Sequence, residues 1–445
     1  MDTLLEKLRT VRPSERQVNW QAQEFYAFIH YGINSFTDRE WGDGTESPAI
    51  FNPQHLDTDQ WCRGIKAAGM RAVILTAKHH DGFCLFDTAH TDHSVMHSPY
   101  GKDIVAQLAA SCERYGLKLG IYLSPWDRHE ARYGSGSAYD DYFCAQLTEL
   151  MSNYGKLFCL WFDGACGEGP NGKVQVYDWD RYYALIRRLQ PEAVISIMGP
   201  DVRWCGNEAG HCRESEWSVV PAQMTDRVAI AKASQQADDA SFRVRIPEDS
   251  ADLGSREALA GYTEFVWYPA EVDVSIRPGW FYHTSEDEQV RSLDNLIDIY
   301  LESVGGNAAF LLNIPPHFDG YIHENDMKRL EELGDWIRSS FAENRLEEAE
   351  ITACGDRENP CFVAKAPASV SPNYLMLQED IAQGQQIEAF TLLYLQDGQW
   401  HEALGGTVVG HKRICRIPGG IESDTWKLKI NACRWDVCLQ TFALY

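Results

Sequence analysis

The sequence predicts an α/β fold: a (β/α)8-like, TIM-type barrel followed by a C-terminal β-sandwich domain. In the larger N-terminal part, short apolar runs alternate with amphipathic segments of helical length, as in βαβ units built around a parallel sheet. No Gly-x-Gly-x-x-Gly motif follows the first apolar run, which favours a barrel over a dinucleotide-binding fold. After about residue 345 the helical periodicity ends, and short alternating runs separated by Asp-Gly and Gly-Gly turns indicate a sandwich.

Five buried strands and the helices between them account for the regular part of the predicted barrel. The predicted strands cover residues 25–32, 71–78, 117–125, 156–162 and 193–198. The predicted helices cover residues 57–68, 103–115, 140–154 and 180–189, after a charged helical segment at 1–24. Trp61, Ile65 and Ala68 illustrate the helical spacing, because they recur at i, i+4 and i+7.

The remaining barrel elements are predicted from weaker patterns. Candidate strands cover residues 214–220, 265–268, 272–276 and 308–314, and long amphipathic helices cover residues 285–301 and 324–341. Residues 222–263 are polar and poorly periodic, so they are predicted to form an inserted loop region. These assignments place a catalytic barrel at residues 1–342 and the sandwich at 343–445, and the sandwich is expected to brace the barrel.

The composition argues against two classes of partner. The 445 residues carry 65 acidic and 40 basic side chains, which gives a formal net charge of −25. Such a field repels nucleic-acid phosphates and anionic membrane surfaces, and the sequence has no apolar stretch of about 18 residues that would suit a membrane span. We therefore predict no nucleic-acid partner and no membrane partner, and the sequence leaves the oligomeric state open.

The cysteines and the N-terminus bear on the cellular compartment. The chain has 13 cysteines, an odd number, and no Cys-x-x-Cys pair, which argues against zinc-ribbon and thioredoxin-like sites. Buried free thiols in a reducing compartment are therefore expected. The first residues lack the long apolar segment of a secretory signal. The sequence as it stands therefore predicts a cytoplasmic protein, or a secreted or periplasmic one if a leader was removed.

The stretch from Lys156 to Gly164 is the strongest indication of a functional site. Six apolar residues run without interruption before Asp163, and Gly164 follows. Such a run is typical of a strand buried on both faces, and a carboxylate at its C-terminal end would lie at the barrel mouth, where barrel enzymes carry their catalytic residues. The alternative is that Asp163 only caps the following turn.

Other chemically active side chains lie at the ends of predicted strands or in the loops that follow. Together with Asp163 they are His30, Glu40, Trp41, His79, His80, Tyr122, Glu208 and Trp280. Each histidine taken singly has an alternative role as a buried, hydrogen-bonded imidazole. The set as a whole allows two interpretations of the chemistry.

The first interpretation is a retaining glycoside hydrolase, which needs two carboxylates about 5–5.5 Å apart. The nucleophile must stay ionised and is best surrounded by hydrogen-bond donors, a role that suits Asp163 at the end of a rigid strand. The acid must hold its proton near neutral pH, a role that suits Glu208 in its Gly-Asn-Glu-Ala-Gly loop. Histidines and a tryptophan would then hold the hydroxyls and the apolar face of a sugar.

The second interpretation is a metal-dependent hydrolase, with ligands drawn from His30, His79, His80, Asp81 and Asp163. Neighbouring strand residues point to opposite faces, so the adjacent His79 and His80 make a poor pair of ligands for one ion. The His-x-His and His-Glu-x-x-His spacings are also absent. The spacing therefore favours the glycosidase, with no metal and no cofactor.

The motifs resemble, in the same order, those of the α-L-fucosidase family of retaining glycoside hydrolases. The matching segments are Phe28-Ile-His-Tyr-Gly32, Glu40-Trp41, Ala77-Lys-His-His-Asp-Gly-Phe83 and Trp161-Phe-Asp-Gly164. The resemblance covers essentially the whole chain, and residues 405–445 are similar to the β-sandwich that many members carry. It implies that Asp163 is the nucleophile. It also implies a fucose pocket made of His30, Glu40, Trp41, His79, His80, Tyr122 and Trp280.

The acid/base residue is the variable part of this family. Residues 198–210, which include Trp204-Cys-Gly-Asn-Glu208, resemble the branch specific for α-1,3/1,4-linked fucose, and that resemblance implies Glu208 as the acid/base. Residues 122–129 and 275–280 are similar to the same branch. The implied partner is a fucosylated oligosaccharide or glycoconjugate glycan of the Lewis type. Competing candidates for the acid are Glu216, Glu271 and Asp273.

Further alternatives stay open at this point. The chain could be a broad-specificity α-L-fucosidase, or a catalytically inactive fucose-binding protein. Residues 222–263, with Arg243 and Arg245, are expected to border the subsites for the leaving group. The sequence does not distinguish a bracing sandwich from one that binds sugar or Ca²⁺, and bracing is the expectation adopted above.

Overall fold

The computed structural model describes residues 3–234, 251–357 and 359–445. Within these ranges the helices are α1 (Thr3–Leu8), α2 (Glu15–Gln21), α3 (Asn34–Thr37), α4 (Thr58–Ala67), α5 (Ile104–Tyr115), α6 (Ser137–Asn153), α7 (Trp179–Leu189), α8 (Arg227–Ala233), α9 (Arg256–Leu259), α10 (Leu293–Ser303) and α11 (Glu324–Ser340). The strands up to the last helix are β1 (Phe25–Ile29), β2 (Ala72–Lys78), β3 (Lys118–Leu123), β4 (Leu157–Phe162), β5 (Val194–Ile197), β6 (Arg203–Trp204), β7 (Val219–Pro221), β8 (Phe265–Trp267), β9 (Ala270–Ser275) and β10 (Ala309–Asn313). The strands after it are β11 (Glu350–Gly355), β12 (Pro360–Val370), β13 (Tyr374–Glu379), β14 (Ile387–Gln396), β15 (Gln399–Gly406), β16 (Arg413–Arg416), β17 (Ser423–Cys433) and β18 (Leu439–Leu444).

Eight strands form one sheet that curves into a nearly closed parallel barrel, which confirms the predicted fold class. The strand order is β5-β4-β3-β2-β1-β10-β9-β6, and its hydrogen-bonded neighbours run parallel. A parallel bridge between Ser196 and Val202 brings the β5 edge to the start of β6. Strands β1, β2, β5 and β10 are buried along their whole length, as expected when helices cover the outside and side chains fill the inside.

Two helices show how the sequence fixes the barrel elements. The Asp57 carboxylate accepts the Gln60 N–H at 2.9 Å at the start of α4, and the Asp103 carboxylate accepts the Ala106 N–H at 2.8 Å at the start of α5. These are standard N-caps for helix amides that lack intrahelical partners. Gly116 ends α5 with φ of 64°, a left-handed conformation that glycine adopts at little cost.

The irregular half of the barrel departs from the predictions. The sixth barrel strand is the two-residue β6, whereas β7 and β8, which overlap the candidate strands at 214–220 and 265–268, pair with each other outside the barrel. The helix predicted over 285–301 begins only at Leu293, because an N-cap at Ser292 accepts the Asn295 N–H there. The predicted loop region 222–263 contains α8 and α9, and Arg243 and Arg245 lie outside the described residues.

The C-terminal strands form two facing antiparallel sheets, as predicted. One sheet has the order β11-β12-β17-β14-β15 and the other β16-β13-β18. Their facing side chains, among them Phe390, Trp426 and Phe442, make a core separate from that of the barrel. Helix α11 ends at Ser340 and β11 begins at Glu350, and the predicted boundary between 342 and 343 stays a prediction that falls in this connection.

The cysteines only partly follow the expectation of free thiols. Cys354 and Cys361 form a disulfide between the paired strands β11 and β12, whereas Cys84, Cys159 and Cys205 are buried free thiols. The cross-strand pairing brings the two sulfurs together, a contact that sequence spacing alone did not reveal. In the described ranges no helix combines the length and apolarity that a membrane crossing would require.

Candidate active site

One pocket at the carboxyl ends of the barrel strands collects most of the predicted site residues. The predicted residues that line it are His30, Glu40, Trp41, His79, His80, Asp163, Glu208 and Trp280. Its other lining residues are Phe28, Trp161, Ala165, Ile197, Trp204, Ser234 and Asp273. Tyr122 lies beneath the pocket, fully buried, and reaches it through its hydrogen bond to Asp163. The two predicted catalytic carboxylates, distant in sequence, therefore share one cavity.

The Asp163 carboxylate is held in a fixed direction directly after β4. The Tyr122 hydroxyl donates to its Oδ2 at 3.1 Å, and the Ala165 N–H donates to its Oδ1 at 2.8 Å. His80 Nε2 lies 3.8 Å from Oδ2. Burial raises the pKa of Asp163, and the hydrogen bonds from Ala165, Tyr122 and the Gly164 backbone oppose that shift by stabilising the anion.

Asn313 fixes the tautomer of His30. The Asn313 side-chain N–H groups donate to Ser275 Oγ at 2.9 Å and to the Trp280 carbonyl at 2.8 Å. The Asn313 Oδ1 is therefore the acceptor, and His30 Nδ1, which lies 2.9 Å from it, carries the proton. Burial lowers the pKa of His30 to about 3, so the ring is neutral and its Nε2 is a hydrogen-bond acceptor.

Ser124 fixes His80 in the same way. The Ser124 hydroxyl donates to the Trp126 carbonyl at 2.7 Å and accepts from His80 Nδ1 at 2.7 Å. Burial lowers the pKa of His80 to about 3. The neutral ring therefore has an acceptor at Nε2, the atom that lies nearest Asp163.

His79 has the opposite tautomer. The Asn34 side-chain N–H groups donate to the Glu40 carbonyl at 3.2 Å and to His79 Nδ1 at 3.5 Å, which leaves the proton of His79 on Nε2. Burial lowers the pKa of this ring well below its usual range. The three imidazoles together supply two acceptors and one donor, a set that suits sugar hydroxyls, which donate once and accept twice.

The two adjacent histidines correct one expectation from the sequence. His79 and His80 were expected to point to opposite faces of a strand, but both line the pocket, with ring centroids 4.1 Å apart. The reason is that β2 ends at Lys78, so the alternation of side chains along a strand no longer applies to the residues that follow it.

Glu40 orders the loop that carries Trp280. Its Oε2 accepts the Trp280 N–H at 2.8 Å, and its Oε1 accepts the Phe281 N–H at 3.1 Å. His283 Nε2 donates to the same Oε1 at 2.7 Å, while His283 Nδ1 donates to Asp38 at 2.5 Å. The bond to Glu40 and that to Asp38 outweigh burial and raise the pKa of His283 to about 9, so the ring is an imidazolium at neutral pH.

Glu208 faces Trp280 across the pocket. The Trp280 Nε1–H donates to Glu208 Oε2 at 3.2 Å, and the Trp280 ring packs at 46° to the ring of His30 at 5.1 Å between centroids. Asn207, beside Glu208, accepts the N–H groups of Ala209 and His211 at 3.1 Å each. The turn that presents Glu208 is therefore closed by its own neighbour.

The three competing acid candidates occupy different environments. Glu216 is fully buried against Arg203 and Arg213 and does not line the pocket. Glu271 also lies below it, where it accepts from Tyr26 and from Trp161 Nε1. Asp273 does line the pocket, and it is the one of the three that remains in reach of a substrate.

Asp273 is set up to hold a proton. The Trp204 Nε1–H donates to its Oδ1 at 2.6 Å. Burial, and then the nearby charges of Glu208 and Glu271, raise its pKa well above the usual range. Because Oδ1 accepts from Trp204, the proton of a neutral Asp273 belongs on Oδ2, which makes this side chain a donor.

Several residues that line the pocket are not among the predicted site residues. Phe28, Trp161, Trp204 and Ser234 were not predicted, although Phe28 and Trp161 lie inside motifs that were recognised, next to predicted site residues. Ser234 ends α8 in the region predicted as a loop. Among residues 3–234, 251–357 and 359–445, no three His, Cys, Asp or Glu side chains are grouped so that they could hold a metal ion.

Known proteins of the same architecture were found by sequence and by structure. Residues 8–340 match the family model described as Alpha-L-fucosidase. Alpha-L-fucosidase 1 of Arabidopsis thaliana is 39% identical over 469 residues, which cover 97% of this chain and 87% of that protein. A candidate alpha-L-fucosidase from Bacteroides ovatus has a crystal structure with a TM-score of 0.90 at 47% identity, covering 100% of this chain and 76% of that one. A Ruminococcus gnavus fucosidase in complex with fucose has a TM-score of 0.81 at 25% identity, covering 98% and 95%.

These matches agree with the architecture and with the pocket described above. The family model spans the barrel that carries Asp163, Glu208 and the histidines, and the similar structures extend over the sandwich as well. The chain therefore belongs to the alpha-L-fucosidase family and is a glycoside hydrolase that acts on fucosides.

Proposed function

We propose that this enzyme is a retaining exo-α-L-fucosidase that releases terminal α-1,3/1,4-linked L-fucose from Lewis-type or related glycans. The observation that supports the proposal best is that Asp163 and Glu208 line one pocket together with three neutral histidines. A carboxylate held by donors at the end of a buried strand suits a nucleophile, and a second carboxyl on a neighbouring loop suits the acid/base.

The proposed reaction has two displacements. An oxygen of Asp163 attacks the anomeric carbon of fucose while Glu208 gives its proton to the departing glycosidic oxygen, and the bond between that carbon and oxygen breaks. A fucosyl ester of Asp163 results, and Glu208 is now a carboxylate. It then takes a proton from a water molecule that attacks the anomeric carbon, which frees Asp163 and restores the original configuration.

The surrounding groups support these roles. The hydrogen bonds from Tyr122 and Ala165 orient the Asp163 carboxylate and stabilise its negative charge. The Trp280 N–H on Glu208 Oε2 fixes one oxygen of the acid and leaves the other for the glycosidic oxygen. The Trp280 ring offers an apolar face for the sugar, and the imidazoles offer partners for its hydroxyls. A bound fucose would therefore be held on several sides before the bond breaks.

The first test removes each carboxyl in turn. Asp163→Asn and Glu208→Gln are each expected to lower kcat/KM on a fucosylated trisaccharide by at least about 10²- to 10⁴-fold, the usual scale for removing a catalytic acid or base. Circular dichroism should remain unchanged. With Glu208→Ala and α-L-fucosyl fluoride, whose fluoride departs without an acid, added azide should restore turnover and yield the α-fucosyl azide, because azide needs no base and attacks the fucosyl ester of Asp163 from the face that water would use. Normal turnover by Glu208→Gln would contradict the assignment.

The linkage specificity rests on the motif around Glu208 and needs its own experiment. Hydrolysis of a panel with α-1,2-, α-1,3-, α-1,4- and α-1,6-linked fucose, scored side by side, should show release only from the α-1,3 and α-1,4 members. Release from all four would favour the alternative of a broad-specificity α-L-fucosidase. Binding of a Lewis trisaccharide without any turnover would instead indicate an inactive fucose-binding protein.

A metal-dependent mechanism is tested separately. Exhaustive chelation, followed by assay in metal-free buffer, is expected to leave kcat unchanged, because the proposed steps use two carboxyl groups and water. Loss of activity that returned on adding a divalent ion would contradict the proposal.

A further inference from the structure

The C-terminal sandwich contacts the loop that carries Glu208. We call residues 205–217 the acid loop, since they follow β6 and include Glu208. The Thr407 hydroxyl and Arg413 Nη1, both from the sandwich, donate to the same Glu214 carbonyl oxygen at 3.1 and 2.8 Å. This carbonyl thus has two donors from another domain and marks one anchor of the loop.

A second anchor passes through Asn307. The Asn307 Nδ2 donates to the Glu216 carbonyl at 2.8 Å, and the His411 backbone N–H of the sandwich donates to Asn307 Oδ1 at 2.7 Å. A Cβ on Gly410 would lie 2.3 Å from Asn307 Oδ1. The close approach of the sandwich at this point therefore requires glycine, and it places the amide of Asn307 between the two domains.

The end of the acid loop is also held by the sandwich. The Arg434 guanidinium lies 4.0 Å from the centroid of the Trp217 ring, a cation–π contact. One residue further, the Ser218 N–H donates to Gln385 Oε1 at 2.8 Å. The contacts of Glu214, Glu216, Trp217 and Ser218 form one continuous seam against the sandwich.

Contacts inside the loop connect this seam to Glu208. Arg213 donates through Nη1 to the Cys205 carbonyl at 3.0 Å and to the Glu216 carboxylate at 3.4 Å. The Asn207 Nδ2 donates to the His211 carbonyl at 2.9 Å. These bonds link the sandwich side of the loop to the turn that presents Glu208, so we expect a shift at the sandwich side to displace that turn.

We propose that the sandwich is a positioning element for the acid/base residue, acting through Thr407, the His411 backbone and Arg413. This inference rests on the proposed role of Glu208. Protonation of a leaving group requires the acid within hydrogen-bond reach of the departing oxygen, and a displacement of about 1 Å can cost about 10²-fold in rate. The three sandwich groups do not line the pocket, so they act through the loop.

A comparison of two substrates isolates this effect. In a Lewis-type trisaccharide the leaving group is the remaining disaccharide, a poorly acidic alcohol that must be protonated as it departs. In α-L-fucosyl fluoride the leaving group is fluoride, whose departure depends little on an acid. In the double variant Thr407→Val/Arg413→Ala, kcat/KM is expected to fall about 10- to 100-fold on the trisaccharide and less than about 3-fold on the fluoride. Thr407→Val/Arg413→Lys, which keeps a donor at position 413, should recover part of the kcat/KM on the trisaccharide that the double variant loses.

A matched control uses another arginine of the sandwich. Arg416 Nη2 donates to Asp298 of α10 at 2.7 Å, so it is also an interdomain contact, but its hydrogen bond goes to α10 and not to the acid loop. Arg416→Ala should leave kcat/KM unchanged on both substrates. Thermal unfolding of all variants should be followed to compare their stabilities.

The outcomes separate failure of this inference from failure of the proposed function. Equal losses of the double variant on both substrates, or no loss on either, would overturn the positioning role. Glu208→Gln provides the reference, because its kcat/KM should also fall on the trisaccharide much more than on the fluoride, and by a larger factor than in the double variant. If that variant kept full activity on the trisaccharide, the proposed function itself would be wrong.

Discussion

The hydroxyl of Tyr122 is the side-chain donor that most directly serves Asp163. Since its hydrogen bond lowers the pKa of Asp163 against the effect of burial, Tyr122→Phe should raise that pKa and move the acidic limb of the kcat/KM profile to higher pH. Loss of a hydrogen bond to a charged group costs about 1.5–3 kcal/mol, which is roughly a 10- to 100-fold loss of rate near the optimum. The measurement is a pH profile of wild type and variant on the same substrate. An unchanged acidic limb would contradict this role.

Asp273 allows a sharp distinction between a neutral donor and a catalytic acid. Burial raises the pKa of Asp273 well above its usual range and keeps its proton bound, so Asp273→Asn, which has a similar shape and also donates, should retain activity within about tenfold. Asp273→Leu removes the acceptor of the Trp204 N–H and should lower the free energy of unfolding by about 1–3 kcal/mol, because that buried donor loses its partner. The assay is kcat/KM on a trisaccharide and on fucosyl fluoride. Inactivity of the Asn variant on the trisaccharide alone would make Asp273, rather than Glu208, the acid.

At the scale of elements, the loop after β9 owes its position to a charged pair that titrates. His283 has an ordinary pKa of 6.5 that is raised to about 9 by its bonds to Glu40 and Asp38, and Glu286 is the other carboxylate nearby. A raised pKa means that the stabilisation is complete below about pH 6.5 and is lost as the pH rises through about 9. Above that pH the neutral ring donates only one hydrogen bond, so Glu40 and the Trp280 loop lose support.

We therefore expect KM of the wild type to rise between about pH 8 and 10. In His283→Gln, which is neutral at every pH, KM should be higher at pH 7 and should no longer rise over this interval. KM measured against pH for both proteins, with kcat recorded in parallel, provides the check. A parallel rise in both proteins would assign the effect to another group.

The regular elements and most of the pocket could be predicted, and the failures have physical causes. Long periodic segments such as α5 contain their own caps and apolar stripe, so local sequence determines them. Strand β6 has only two residues, Arg203 and Trp204, and pairs because the barrel must close, which no local pattern reveals. The family resemblance implies that Tyr122 belongs to the fucose pocket, but its burial beneath Asp163 depends on how β3 and β4 pack, which the sequence does not reveal.

At the scale of the whole molecule, a half-buried charge cluster links the barrel to the sandwich. Glu24, before β1, accepts from His411 Nε2 at 3.0 Å and from Lys412 Nζ at 2.6 Å. Burial alone would raise the pKa of Glu24, but the bond from His411 and the charge of Lys412 outweigh it and lower the pKa from 4.5 to about 2. A lowered pKa means that the stabilisation is present above about pH 4.5 and is lost as the pH falls towards 2.

Glu24→Gln should therefore destabilise the protein at pH 7 and matter progressively less in acid. Lys412 would be left in a half-buried site without its counter-charge, and the expected cost is about 3 kcal/mol at pH 7. Thermal unfolding of both proteins by calorimetry at pH 7, 5 and 3 tests this: the gap in Tm should narrow below pH 4.5, because Glu24 of the unfolded wild type then takes up a proton while the folded protein still holds it ionised. The cluster includes His411, whose backbone N–H also donates to Asn307 next to the acid loop. On heating, the variant should therefore lose trisaccharide hydrolysis before it loses fucosyl fluoride hydrolysis. Simultaneous loss of both activities would mean that the two domains unfold as one unit at this seam.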